Sequence, residues 1–339
     1  MNLTLMPYFA VFIAALLAAI VATPLARSLS VRWGVLAVPD ERRHHAGLIP
    51  KLGAIPVLVG ILLGMGVSYW LLPPTGDDAL RLRGVLLGTL IVFVGGLADD
   101  RLNMPPWFNF LVQFLATAVA MTHIIFIEVF TNPLNGQEVW IAQRWLALLF
   151  TLFWMVGMIN AVNFLDGLDG LAAGVGTIAA LLFAWHSYRL GQTTVAAFPL
   201  ALAGALVGFL PFNFAPARIF LGSGAYVLGY QLATLSILSP AKIATALLVL
   251  AVPILDVAWQ IIDRLRRGQS PWRGDRGHLH FRLSDRGLPT RQIVVGYYLA
   301  TIAFGLVAIF ASGLMKLVIL GVLGTAVFTL LGWFTFHKR

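Results

Sequence analysis

MPYFAVFIAALLAAIVATPLAR, residues 6–27, carries no charged side chain until Arg27. Hydrocarbon offers no partner to backbone N–H and C=O groups, so a run of this kind crosses a bilayer only as a helix that satisfies its own backbone. A bilayer core about 30 Å thick needs roughly 17–25 apolar residues per helix, and this stretch meets that length. It lacks a basic leader and a small-residue cleavage site, so it reads as a retained helix rather than a signal peptide. Working outward, the chain holds about eleven apolar stretches near the spanning length, at 6–27, 53–72, 84–98, 108–127, 144–162, 170–189, 195–213, 219–239, 241–262, 290–312 and 315–336, the third of them short. Composition agrees: of 339 residues, 59% are apolar and 11% charged, whereas a soluble domain carries about 25% charged residues. A water-facing globule is excluded. The expected fold is an all-α polytopic membrane protein forming one domain over residues 1–339, with no repeat and no separate soluble unit. Cysteine is absent, which excludes disulfides and thiolate chemistry.

Eleven spans would place the odd-numbered connections and the C-terminus on one face. That face would hold 17 of the 23 basic residues and the other face 6. Lysine and arginine collect in cytoplasmic loops near span ends, so the bias predicts an external N-terminus and a cytoplasmic C-terminus. The formal charge of +9 is therefore read as membrane orientation, and no nucleic-acid partner is expected.

The positive-inside rule does not account for the acidic residues on the same face. Asp99, Asp100, Asp166, Asp169, Asp263, Asp275 and Asp285 lie there, with Asp256 about two turns inside the ninth stretch. Carboxylates at the mouth of a bundle are costly to desolvate unless paired or bound to a cation. The cytoplasmic loops, about 28–52, 98–107, 163–170, 213–224 and 263–291, therefore read as one site for a metal and an anionic substrate. Asp99 and Asp100 end the third stretch as adjacent like charges. They either cap the next segment or serve a divalent ion or a proton transfer. Asn160, Asn163 and Asp166 recur every third residue as the fifth stretch ends, which keeps two amides and a carboxylate near one helix face. Gly167 and Gly170 then let the backbone turn and approach a ligand. Arg218 follows the seventh stretch, as a helix-end anchor or as a substrate contact. The arginines from Arg264 to Arg282 can touch anionic lipid, while His278 and His280, beside Asp275 and Arg276, favour a phosphate or general-acid role.

These motifs, in this order, resemble the polyprenyl-phosphate N-acetylhexosamine-1-phosphate transferases of glycosyltransferase family 4. The resemblance runs over about residues 30–292 and is carried by NxxNxxDGLDGLxxG from Asn160 to Gly174, by the Asp99–Asp100 pair, and by the run PDERRHH with Pro50, Lys51 and Gly53. The histidine loop is similar to the WecA and TagO branch and more distant from MraY. The resemblance implies transfer of a sugar-1-phosphate from a UDP-N-acetylhexosamine to a polyprenyl phosphate, releasing UMP, in the bacterial cytoplasmic membrane. It also implies a need for Mg2+, for which Mn2+ could substitute. By position, Asp99, Asp100 and Asp166 take catalytic places, Asn163 with Asp99 the metal, Asp169 the uracil, and His278 with His280 the diphosphate. Asn160, Arg218, Arg276, Arg42, Arg43 and His45 fall at further substrate-binding positions. Membrane lipids are the expected surroundings, and a homodimer is compatible with the reading.

The chain departs from the family pattern at five places. Ala37 stands for an aspartate, Gly53-Ala54 for paired glycines, Asn109 for a lysine and Phe281 for a third histidine-loop residue. Gly222-Ser223-Gly224 lacks one aspartate of a Gly-Asp-x-Gly element. These departures raise a catalytically inactive relative that binds lipid phosphate or nucleotide as the alternative. A secondary transporter is less favoured, because its polar residues should gather near the bilayer midplane.

Overall fold

The computed structural model describes residues 5–38, 47–238, 242–269 and 277–336. Among these residues the regular structure is helical apart from two short hairpins. In order, α1 (Met6–Arg32) is followed by β1 (Leu36–Ala37) and β2 (Ile49–Pro50), then α2 (Ala54–Leu71), α3 (Asp77–Leu102) and α4 (Pro106–Thr122). The second hairpin, β3 (Val129–Thr131) with β4 (Glu138–Trp140), precedes α5 (Arg144–Leu165), α6 (Leu171–Arg189), α7 (Thr193–Asn213) and α8 (Gly224–Leu238). Then come α9 (Lys242–Val249), α10 (Ala251–Arg266), α11 (Leu279–Asp285), α12 (Thr290–Phe310) and α13 (Gly313–Phe336). Both hairpins are antiparallel, pairing Leu36 with Pro50 and Phe130 with Val139.

These elements make a mostly helical polytopic membrane protein, as the sequence predicts. Among the described residues, eight helices are long and apolar enough to cross a bilayer, and a ninth span results if α9 and α10, bent 85° at their junction, count as one. The remaining two apolar stretches became α4, with 17 residues, and α8, with 15. The third stretch differs in the other direction. Its helix starts at Asp77 and includes Arg81, whose Nη1 lies 3.2 Å from Asp78 Oδ1 one turn earlier. Pairing of that kind lets a helix begin in polar sequence that a hydropathy window discards.

The most buried helices are α6, α7 and α8, with α1 and α2 packed against α7, and small residues set how closely these helices approach. Cβ atoms placed on Gly204 and Gly208 would stand 2.3 Å from the carbonyl oxygens of Phe12 and Leu16, and one on Gly60 would meet Ala205 Cβ at 2.6 Å. Glycines four residues apart on a helix face allow backbones to pack directly, and close van der Waals packing is what drives helix association in lipid. Tyr230, Phe183, Phe198 and Phe209 are the largest side chains fully buried by this arrangement. A rigid centre of this kind fixes the ends of α3, α5, α7 and α8, from which the motif loops extend.

Candidate active site

Three segments distant in sequence meet at Asp100, in the last turn of α3. Its carboxylate is buried; Oδ1 lies 3.2 Å from Lys51 Nζ, and Oδ2 accepts the Ser223 N–H at 2.8 Å. Lys51 is set in place by its own N–H, which donates to Ser30 Oγ at 3.0 Å at the end of α1. The loop after β2 and the loop before α8 are joined by backbone: Phe220 N–H donates to Pro50 O at 2.8 Å, and Gly53 N–H to Phe220 O at 3.1 Å. Gly222 closes the junction with φ +60°, and a Cβ there would stand 2.2 Å from Lys51 O and 2.9 Å from Asp100 Oδ2. Left-handed backbone and the close approach both require glycine. Asp100 is thus held by an ammonium and an amide. Asp99 is half-buried and makes no side-chain hydrogen bond or ion pair among the described residues.

The Gly222 loop, one residue shorter than the family pattern, leads into α8 so that Tyr226 stands in its first turn. Asn163 Nδ2 donates to the Tyr226 hydroxyl at 3.4 Å, and both Asp99 and Asp100 act electrostatically on that hydroxyl. Asp99, Asp100 and Asn163, named from the sequence, therefore come together, joined by Lys51 and Tyr226. Lys51 belongs to the first motif but was not expected among the site residues, and no spacing rule in the sequence pointed to Tyr226. Among the described residues, no three His, Asp or Glu side chains stand close enough to cage a metal ion.

Asn160 is placed differently from Asn163. Its Nδ2 donates to Gln113 Oε1 at 2.7 Å and to Val156 O at 2.8 Å, and Gln113 Nε2 returns a 3.5 Å contact to Asn160 Oδ1. This amide pair links α4 to α5 and answers the need for a partner that an asparagine inside an apolar span creates. Beyond it, α5 ends at Leu165 with Asp166 as its cap, and Gly170 takes φ +79°. Asp169 Oδ2 accepts the Ala217 N–H at 2.9 Å, and Tyr298 donates to Gly170 O at 2.6 Å. The turn is thereby tied to the segment after α7 and to α12.

The histidines close on the same turn. A Cβ on Gly167 would fall 2.2 Å from His280 Nε2 and 2.7 Å from Phe281 Cζ, so the glycine admits both rings. Phe281 is 5% exposed; at this departure from the family pattern an aromatic ring fills packed space. His278 stacks on Phe164 with ring centroids 5.1 Å apart and lies parallel to His280 at 5.8 Å. Asp256 of α10 bonds His278 Nδ1 at 3.0 Å, a partnership the sequence left unassigned. Arg218 is exposed, and its side chain has no hydrogen-bond or ion-pair partner among the described residues. Arg42, Arg43, His45 and Arg276 lie outside the described residues, as does Asp275.

With this geometry in place, comparison with known proteins gives a consistent answer. A family model described as Glycosyl transferase family 4 matches residues 82–240, which include the α3 carboxylates, the α5 turn and the Gly222 loop. The chain is 30% identical to a probable undecaprenyl-phosphate N-acetylglucosaminyl 1-phosphate transferase of Bacillus subtilis, over 88% of this chain and 83% of the relative. It is 33% identical to a decaprenyl-phosphate N-acetylglucosaminephosphotransferase of Mycobacterium tuberculosis, over 84% and 78% of the two chains. It is 32% identical to an undecaprenyl-phosphate alpha-N-acetylglucosaminyl 1-phosphate transferase of Haemophilus influenzae, over 84% and 80%. All three names are those of transferases, so the inactive alternative gains no support from them. On the length and depth of these matches, the protein belongs to glycosyl transferase family 4.

Proposed function

We propose that this integral membrane protein transfers N-acetylglucosamine-1-phosphate from UDP-N-acetylglucosamine to a polyprenyl phosphate, giving a lipid diphosphate sugar and UMP at the cytoplasmic face of a bacterial membrane. The observation that carries the reading is the meeting of Asp99, Asn163 and the histidine-bearing α11 around a single turn of α5. Carboxylate, amide and imidazole groups in one place suit a reaction between two phosphates. The relatives' names supply the polyprenyl phosphate acceptor and the N-acetylglucosaminyl group, and the basic bias of the loops supplies the face.

The reaction joins an acceptor phosphate oxygen to the sugar-bearing phosphorus of the donor and breaks that phosphorus–oxygen bond to UMP. A phosphate monoester has a second pKa near 6, so the acceptor is mostly dianionic at neutral pH and needs little help from a base. The obstacle is repulsion between anions. Asp100, committed to Lys51 and Ser223, holds the loops in register, which leaves Asp99 to orient the acceptor or take its remaining proton. Asp166 and Asp169 lie on the donor side with the histidines. Magnesium fits this donor set: the ion keeps several waters and takes one or two carboxylates plus substrate phosphates, and Asp99 is a half-buried carboxylate without a side-chain partner among the described residues. Asp99 and Asn163 would hold it, and the bound ion would offset diphosphate charge. Direct attack is favoured over an aspartyl-phosphate intermediate because the acceptor is already a nucleophile.

The test is UMP release by purified protein in detergent with UDP-N-acetylglucosamine, polyprenyl phosphate and magnesium. Release only when acceptor is present supports the reading. A stoichiometric burst without acceptor refutes direct attack, and no release under any condition refutes the transferase assignment.

A further inference from the structure

Tyr226, in the first turn of α8, stands between two helices that α8 meets at close range. A Cβ on Gly96 of α3 would stand 2.6 Å from Ser223 Cβ, just before α8, and one on Gly229 of α8 would stand 2.6 Å from Ile159 Cα of α5. With glycine at both points, α8 packs directly on α3 and on α5. Gly229 is one turn beyond Tyr226, and Ile159 one turn before Asn163, so these contacts set the tyrosine beside Asn163. Asp99, Asn163 and Tyr226 are each partly exposed, whereas Asp100 is buried. The three side chains are therefore open to an incoming molecule.

The hydrogen-bonding capacity of this corner is uneven. A hydroxyl offers one proton and two lone pairs, and a phenol, which ionises at about pH 10, keeps that proton at neutral pH. Asn163 Nδ2 donates to one lone pair at the long distance of 3.4 Å. The proton itself has no acceptor among the described residues, although Asp99 and Asp100 are both within electrostatic reach of the hydroxyl. Asp100 is committed to Lys51 and to the Ser223 N–H, and Lys51 Nζ lies a further 3.4 Å from Asp100 O. Ionised carboxylates only accept, so neither aspartate gives a hydrogen bond to an anion. The Tyr226 O–H is a donor set among acceptors, and donation from Asn163 to its oxygen polarises it further. Hydrogen bonds to ionised oxygens are the short and strong ones, and a donor here offsets the repulsion between Asp99 and an arriving phosphate.

We propose that Tyr226 is a substrate-binding residue of this chain whose hydroxyl donates to an oxygen of the acceptor's phosphate monoester. The inference rests on the transferase reading, in which the acceptor lies beside Asp99 and the donor beside the histidines. Phenylalanine at this position would keep the ring and its packing and remove only the donor.

Two measurements on the full-length protein in detergent test this, with magnesium present throughout. By calorimetry without nucleotide, Tyr226→Phe should weaken binding of farnesyl phosphate roughly 10–100-fold, the scale of a hydrogen bond to a charged group, while UMP affinity stays within about twofold. Farnesol, which has the same chain and no phosphate, should bind parent and variant alike. In the UMP-release assay, kcat/KM for polyprenyl phosphate should fall by a similar factor with the donor KM within about twofold. Equal farnesyl phosphate affinity in the two proteins overturns the proposal. So does a loss shared by farnesol, which would come from chain packing, or a loss that falls on UMP instead. A parent that binds farnesyl phosphate no more tightly than farnesol also refutes it, since no phosphate contact then exists. Absence of UMP release from the parent would count against the transferase reading alone, and the calorimetry would still decide the role of Tyr226.

Discussion

Replacing Lys51 by methionine tests whether the loops around Asp100 are held by charge. Methionine keeps the length and apolar stem of lysine and removes the ammonium, so Asp100, with its side chain 5% exposed, would lose the cation 3.2 Å from Oδ1 and keep only the Ser223 amide. Breaking a buried ion pair from one side costs about 3–5 kcal/mol, because the remaining charge is uncompensated. Lys51 itself is 18% exposed, so water can enter where the ammonium was, and about 3 kcal/mol is the expected loss. In a chain of this size that lowers Tm by roughly 5–10 °C. The assay is thermal unfolding in detergent followed by intrinsic fluorescence, for which the chain carries 10 tryptophans. The double variant Lys51→Met with Asp100→Asn should regain most of the loss, since the amide oxygen still accepts from Ser223 and no charge remains to desolvate. A Lys51→Met protein that melts within about 2 °C of the parent, or a double variant whose loss is the plain sum of the two single ones, would refute the reasoning.

Gly222→Ala adds a methyl group 2.2 Å from Lys51 O in a left-handed backbone; it should lower stability by about 2–4 kcal/mol and abolish measurable transfer, and parent-like melting would place the loop elsewhere. Gly167→Ala displaces His280, whose Nε2 would be 2.2 Å from the new Cβ, and is expected to raise the donor KM at least about tenfold if one charged hydrogen bond is lost; an unchanged KM removes His280 from the donor site. Asn160→Ala breaks the pair with Gln113 and should cost about 1–2 kcal/mol of stability while leaving both KM values within about twofold, so a donor-specific rise would return Asn160 to substrate binding. Asp169→Ala should raise the donor KM more than it lowers kcat, and Asp99→Ala the reverse; equal UMP affinity in both variants by calorimetry contradicts the base-contact role. Reporter fusions at Gly136 and Gly268 should read exterior and cytoplasm, and a cytoplasmic signal at Gly136 would undo the orientation.

Much of this protein follows from sequence because its two strongest constraints are local. Hydrocarbon forces each apolar stretch to satisfy its own backbone, so helices and their approximate limits are readable one stretch at a time. The spacing of Asn160, Asn163 and Asp166, and glycines at turns such as Gly170, are likewise properties of a few consecutive residues, and with Asp99–Asp100 they sufficed to indicate family and chemistry. What tertiary structure decided is which polar groups are already spent on one another. Asn160 and Asn163 are alike in a helical pattern, yet Gln113 sits opposite one and Tyr226 opposite the other. Asp99 and Asp100 are adjacent, yet only Asp100 turns inward to Lys51 and Ser223. Asp256 looks like an isolated charge in a span until α11 folds back and places His278 against it. Hydropathy could not mark the 85° break between α9 and α10, because an apolar stretch reads the same whether its helix runs straight or bends. Partners contributed from distant segments leave no local signature, since a hydrogen bond across the bundle depends on packing of the intervening helices, and that is settled only when the whole chain is assembled.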